Sequence, residues 1–342
     1  MTHAYVDLQA ESTEQYVEQF PTRAYEHAYE QGWTDGLPII PASPDNVRRF
    51  VDASGHAADE LIGILPPRKG RVTAELIAVN AIMAGCRPEY MPVIIAAVEA
   101  MTDPGFELEH MQVTTNTPTP FLLINGPARK KLEINFGAGC LGPGWRANAT
   151  IGRAVRLILY NGGGGLPGVY SKSCFGSPLR YSYLCGENEE ANPWTPFHVD
   201  RGFAREQSTV TVFNALNYCG IGGTESFGTD EILRVIATNM PPTHGSNDVL
   251  LLLGVNHAQT LHDAGLTKRD IQQRLWELAR LPTSYFAKHF VNIQRAAGRA
   301  DADTVWRAES PDKFFVAVAG GPGPQDVYIA AKSPQTRVIQ GF

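Results

Sequence analysis

The chain has 342 residues, of which 43% are hydrophobic, 19% charged and 9% aromatic, and a formal net charge of -6. That length holds about two ordinary domains or one large α/β domain, and the balance excludes disorder, coiled coil and collagen. No apolar run reaches the ~18 to 20 residues of a bilayer span, MTHAYVDLQAEST lacks a signal-peptide layout, and no Lys/Arg stripe suits nucleic acid, so a cytoplasmic protein with neither membrane nor nucleic-acid partner is expected.

Residues 1 to 32 read as a polar N-terminal helical arm, broken at Pro21 and closed by Gly32. The arm has too few apolar positions for its own core, so it suits packing on the body or on a second subunit, and a homo-oligomer is expected. Residues 33 to 342 form the body. There, GWTDGLPIIPASPDNVRRFV gives a turn at Asp35-Gly36 with Trp33 and Leu37 beneath it, then a helix with Ser43 as N-cap, Pro44 at its first position and Gly55 at its end. VTAELIAVNAIMAG, 72 to 85, is apolar all round, which marks a buried helix and obliges Asn80 to find a polar partner. A further helix starts at Pro92. ATIGRAVRLILYN sets Ile151, Ala154, Val155, Ile158 and Leu159 on one stripe, with Arg153 and Arg156 off it. TDEILRVIATNM and TKRDIQQRLWELARL open with Thr229 and Thr267 as caps, and Pro282 stops the second. Strands are expected at 120–125, 208–215, 248–254, 313–319 and 326–332 from length and β-branched content. Helices alternating with strands give an α/β fold, a mixed sheet with helices packed on it, and any domain boundary falls near 225 to 245.

Five cysteines, Cys86, Cys140, Cys174, Cys185 and Cys219, are odd in number and form no CxxC pair, which reads as free thiols. Gly 33 and Pro 24 make one residue in six and gather in loops. His257 and His262 are five apart and no HExxH or G-x-S-x-G appears, so no metal set and no hydrolase elbow is legible; a metal assembled from distant residues stays open, and no cofactor is predicted.

Three segments carry candidate chemistry. In GCRPEYMP, Cys86 sits beside Arg87 and a few residues before a helix, the setting that stabilises a thiolate; the alternative is a small buried hydrophobe. In NFGAGCLGPGWRANATIG, glycines including Gly142 and Gly144 lead into a helix entrance bearing Arg146, Asn148 and Thr150, where N–H groups suit a carboxylate or phosphate. The loops NGGGGLPG and AGGPGP repeat the glycine pattern, and no Walker A or GxGxxG motif is present. In YLCGENEEANPWTPFHVDRGF, Glu187, Glu189 and His198 are candidate acid–base groups, with Trp194 as a stacking surface; a solvated acidic loop is the alternative.

The blocks GWTDGLPIIP, NAIMAGCRPEYMPVIIAAVEAM, GPGWRANATIGRAVRLIL, ENEEANPWTPFHVDRGF and STVTVF together resemble a family of bacterial proteins of about this length, often encoded beside small proteins with a Cys/Sec-Gly-Ser-Cys (UGSC) motif. The resemblance covers most of residues 30 to 330 and implies a thiol or selenol partner protein and a reductive or sulfur-linked reaction. The Gly-Gly-Pro loop running into PQDVYIAAKSPQTRV departs from that family's pattern. The expected function is an enzyme on a small anionic metabolite, a lyase or thiol-dependent reductase acting at a carbon–heteroatom bond. Cys86 would supply the thiol, Glu187, Glu189 and His198 would handle protons, and Arg87, Gly142, Gly144, Arg146, Asn148, Thr150 and Trp194 would hold substrate. The rivals are a carboxylate-only hydratase or hydrolase, and a non-catalytic binding subunit of a two-component enzyme.

Overall fold

All five apolar, β-branched segments expected as strands lie in one seven-stranded sheet. The computed structural model describes residues 13–222, 228–242 and 248–342, with side chains from residue 22 onward. In chain order the strands are β1 Leu61–Leu65, β2 Gly70–Thr73, β3 Thr119–Asn125, β4 Leu184–Gly186, β5 Thr209–Ala215, β6 Cys219–Ile221, β7 Asp248–Leu253, β8 Arg280–Pro282, β9 Thr304–Trp306, β10 Phe314–Val318 and β11 Asp326–Val338. The helices are α1 Thr13–Glu30, α2 Pro44–Ser54, α3 Ala74–Ala84, α4 Met91–Thr102, α5 Leu108–Val113, α6 Ala128–Lys131, α7 Arg146–Asn161, α8 Phe197–Asp200, α9 Thr229–Thr238, α10 Val255–Asp263, α11 Lys268–Leu278 and α12 Lys288–Ala296.

The main sheet runs β10-β7-β11-β5-β3-β4, and β6 also pairs with β11. β10 is parallel to β7 and β4 parallel to β3, while the joins between them are antiparallel. The sheet curls until its two edges meet. Asn188 N–H donates to the Val318 carbonyl at 2.7 Å, and Val318 N–H donates to the Glu187 carboxylate at 3.4 Å. Side chains alternate across this surface as strand geometry requires. Phe121, Leu123, Phe213, Leu250, Ala317 and Ile329 fill the enclosed face. On the outer face, Leu122, Ile124, Val210 and Val212 pack against α3, α4 and α7, and Val249, Leu251, Val316 and Ala330 against α9 and α11. Strands from both sides of 225–245 thus share one sheet; residues 225–227 and 243–245 of that interval lie outside the described residues.

Local signals act largely as their chemistry dictates. Ser43 caps α2 by accepting the Asn46 N–H, Gly55 ends it in the left-handed conformation, and Thr267 with Asp270 forms a capping box at α11. Thr229 is not the cap of α9, which begins after Gly228 without a side-chain cap. The arm helix α1 runs through Pro21, against the expected break; proline forfeits one N–H and the following turns carry on. Ala24 and Ala28 are buried, and the Asn161 amide on α7 donates to the Trp33 carbonyl at 3.0 Å, which ties the end of the arm to the body. β11 outruns its expected end at Lys332, because a bulge between Lys332 and Gln335, with Ser333 at φ 54, absorbs Pro334 without breaking the ladder. Asn80 finds its partner in Asn161, whose amide donates to it at 2.7 Å.

Candidate functional site

The glycine-rich loops at 135–145 and 319–324, far apart in sequence, meet at one end of the curled sheet. The second leaves the carboxyl end of β10 beside the carboxyl end of β7, where parallel strands commonly open a ligand crevice. Together they wall a cleft of about 660 Å³ whose lining includes Cys140, Gly142, Tyr218, Gly320, Gly323 and Asp326. Two glycines make the approach possible: a Cβ on Gly321 would stand 2.7 Å from the Ala138 Cβ, and one on Gly254 would stand 2.2 Å from the Gln325 carbonyl oxygen.

Cys140 sits in this wall because Asn148, near the start of α7, folds the preceding loop back on the helix. The Asn148 amide donates to the carbonyls of Asn135 at 2.9 Å and Cys140 at 3.1 Å, and its oxygen accepts the Asn135 N–H at 2.8 Å. Cys140 packs with Cys185 of β4 in the buried cluster of the enclosed face, and that neighbouring thiol, ahead of the opposing effect of burial, draws its pKa down; the Gly320 N–H donates to the Phe136 carbonyl at 2.9 Å and the Cys140 N–H to the Gly137 carbonyl at 3.1 Å. The Cys185 thiol is pushed well up, by donating to Cys140 and by burial. Neither thiol is in a disulfide. On the same cleft, the Asp326 carboxylate accepts the Gly254 N–H at 3.0 Å and pairs with His257 Nδ1 at 2.8 Å. None of Cys140, Cys185, His257 and Asp326 was singled out as a site residue from the sequence. The glycine-rich context of Cys140 was visible there; its contact with Cys185 was not.

Cys86 requires a correction. Its thiol is buried, donates to the Thr150 carbonyl at 3.3 Å, and is pushed up to about 12 by burial, which overrides the nearby charges of Arg146 and Arg153. Arg87 turns away to Glu133 at 3.1 Å. Arg146 donates to the carbonyls of Gly85 at 3.0 Å and Cys86 at 3.3 Å, and so caps the end of α3. The Thr150 hydroxyl donates to the Arg146 carbonyl at 2.8 Å. Of the expected anion-holding set, Gly142 lines the cleft, Asn148 shapes it from behind, and Gly144 is exposed.

The acidic loop is equally committed. Glu187 is fully buried and its carboxylate accepts from Asn125 Nδ2, from Asn192 Nδ2 at 2.9 Å, from Phe197 N–H at 2.7 Å and from Val318 N–H. Burial nevertheless leaves its pKa raised. Glu189 accepts the Gly126 N–H at 2.7 Å and pairs with Arg129 at 3.0 Å. Glu190 takes Arg129 at 3.1 Å and Lys130 at 2.8 Å; burial raises its pKa, but these cations win and hold it at about 2. Arg129, buried and stacked 4.8 Å from the Phe136 ring, is the hub of the loop. His198 is buried with Nδ1 3.9 Å from Glu189, and burial lowers its pKa. Trp194 donates to the Leu266 carbonyl at 2.9 Å and lines a separate cavity of about 750 Å³ with Lys268 and Arg201.

Among the described residues no cluster of three or more His, Cys, Asp or Glu is placed to hold a metal ion, and no helix is long and apolar enough to cross a membrane. Neither a protein-family model nor a curated protein matches the chain.

Proposed function

We propose that the chain is an enzyme that cleaves a carbon–heteroatom bond in a small anionic metabolite by thiol-dependent reduction, with Cys140 as nucleophile and Cys185 as resolving thiol. One observation carries the reading: two free thiols packed in one buried cluster, one of them at the wall of a glycine-lined cleft. The Cys140 thiolate attacks a soft heteroatom such as sulfur, the bonding pair stays on carbon, and carbon takes a proton. Cys185 then displaces the heteroatom from Cys140, so that two thiols and the substrate give the reduced carbon product, the protonated heteroatom group and a Cys140–Cys185 disulfide. The His257–Asp326 pair, whose carboxylate lines the same cleft, would supply the proton. The disulfide is returned to dithiol by exchange with an external thiol or selenol, the role open to a small UGSC-type protein.

Alkylation of the whole protein by iodoacetamide at pH ~6, read cysteine by cysteine, tests this, because an ordinary thiol of pKa ~8.5 is almost wholly protonated there. Cys140 is expected to label ahead of exposed Cys174 and long before Cys86, and a mild oxidant should join Cys140 to Cys185 reversibly. A Cys140 slower than Cys174, with no such disulfide, removes the proposal.

A further inference from the structure

A second cavity, of about 570 Å³, opens between α7 and the chain at 167–181, and it shares no lining residue with the Cys140 cleft. Two guanidiniums face it. Arg156 is 5% exposed; its Nε donates to the Arg180 carbonyl at 3.1 Å and one Nη to the Thr119 hydroxyl at 2.7 Å, which leaves the other Nη without a protein acceptor among the described residues. Arg180 gives its two Nη groups to the Ser171 hydroxyl at 3.3 Å and the Pro118 carbonyl at 3.2 Å, and its buried Nε has no acceptor among the described residues. Neither arginine has a carboxylate partner among the described residues. Asp35 also lines the cavity, but both its oxygens are held by Arg153, at 2.8 and 2.9 Å. Three guanidiniums therefore stand against one carboxylate. Like charges gathered around a buried guanidinium such as Arg156 are costly unless an anion compensates them. The strain shows in Arg156, whose pKa is drawn down to about 10 by burial and, less strongly, by the charge of Arg180.

The rim adds a second chemistry. Phe175, 96% exposed, lines the same cavity with Tyr181, which is half exposed. A large ring left this open beside a cationic pocket matches a ligand with an anionic head and a flat apolar body.

We propose that this cavity is a binding site for an organic dianion, whose oxyanion head pairs with Arg156 and Arg180 and whose aromatic or apolar part lies under Phe175. The head can be a phosphate monoester or a dicarboxylate, which share doubly charged oxygens in the reach of two forked donors.

Titration of the full-length protein with phenyl phosphate, phthalate and inorganic phosphate, followed by calorimetry, decides this. Phenyl phosphate or phthalate should bind at least tenfold more tightly than inorganic phosphate, the better of the two identifying the head. Phe175→Ala, at a position with no packing to lose, should erase the advantage over inorganic phosphate, and Arg180→Gln should weaken the organic ligands more than tenfold while Arg180→Lys retains part of the affinity. A melting temperature for each variant separates lost binding from lost folding. Equal affinity for all three ligands, or affinity untouched by Arg180→Gln in a folded variant, overturns the assignment. Neither result bears on Cys140 labelling, so this site and the thiol cleft stand or fall separately.

Discussion

Glu187 accepts the main-chain N–H of Val318, 131 residues away in sequence, and through that bond the two edge strands of the sheet are joined. All four of its hydrogen-bond partners are N–H donors, so both oxygens must remain acceptors. Glu187→Gln turns one acceptor into a donor facing another donor. It is expected to cost about 2 to 4 kcal/mol, the range for an unsatisfied buried polar group plus a broken charged bond, and a urea unfolding curve measures it. A neutral result would mean that the edges are held by main-chain bonds alone.

Acid lability should divide into two windows. Folding holds Glu190 at about 2, below its ordinary value of ~4.3, so its stabilisation is present above pH ~4.3 and is lost as pH falls toward 2. Its side chain is 45% exposed, so the effect is discounted to about 1 kcal/mol. The melting temperature of Glu190→Gln should lie below that of the parent at pH 7 and converge with it near pH 2. His198 is lowered by burial, so its neutral form stabilises the fold above pH ~6.5 and that contribution fades as pH falls through the lowered value. His198→Gln should show a shallower loss of stability between pH 7 and 5.

Asn148 is a positioning residue for Cys140. Asn148→Ala strands the Asn135 N–H and the Cys140 carbonyl in a buried site, while the Asn135 carbonyl keeps the Gly186 N–H, and is expected to cost about 2 to 3 kcal/mol. If it only supported the fold, the remaining native molecules would keep the parent's alkylation profile. We expect instead that Cys140 labelling at pH ~6 slows severalfold in the folded variant while Cys174 is unchanged, which mass spectrometry of each peptide reads.

Asp35 and Arg153 form a two-pronged pair in which the aspartate side chain is 3% exposed. Asp35→Asn leaves the guanidinium uncompensated beside Arg156 and should cost about 3 kcal/mol, the scale for breaking a buried pair. Asp35→Asn with Arg153→Met should recover much of that loss; a double variant as unstable as the single one would show that the Asp35 turn itself, and not the charge, is what matters.

Local chemistry in the sequence determined much of this protein. Period and β-branched content placed five of the seven strands of the main sheet, the glycine caps ended α2 and α3, and the demand that Asn80 be satisfied was met by Asn161. These features rest on neighbours within a few residues, or on an obligation that any fold must meet. The motif blocks were conspicuous, but what each residue does was decided elsewhere in the chain. RANATIGR supplies Arg146 to cap α3, Asn148 to hold the Cys140 loop, and Arg153 to neutralise Asp35. Cys86 illustrates the difference. Its sequence neighbours argue for a thiolate, yet the packing of α3 and α7 removes it from water, and desolvation outweighs the nearby charges. Cys140 and Cys185 are 45 positions apart and unremarkable singly; only the long-range bonds that set the Gly186 N–H on the Asn135 carbonyl and the Asn148 amide on the Leu184 carbonyl bring the loop before α7 against β4 and both thiols into one buried cluster. Burial and long-range pairing set the reactivity of a charged or sulfur group, and neither is encoded in the residues beside it.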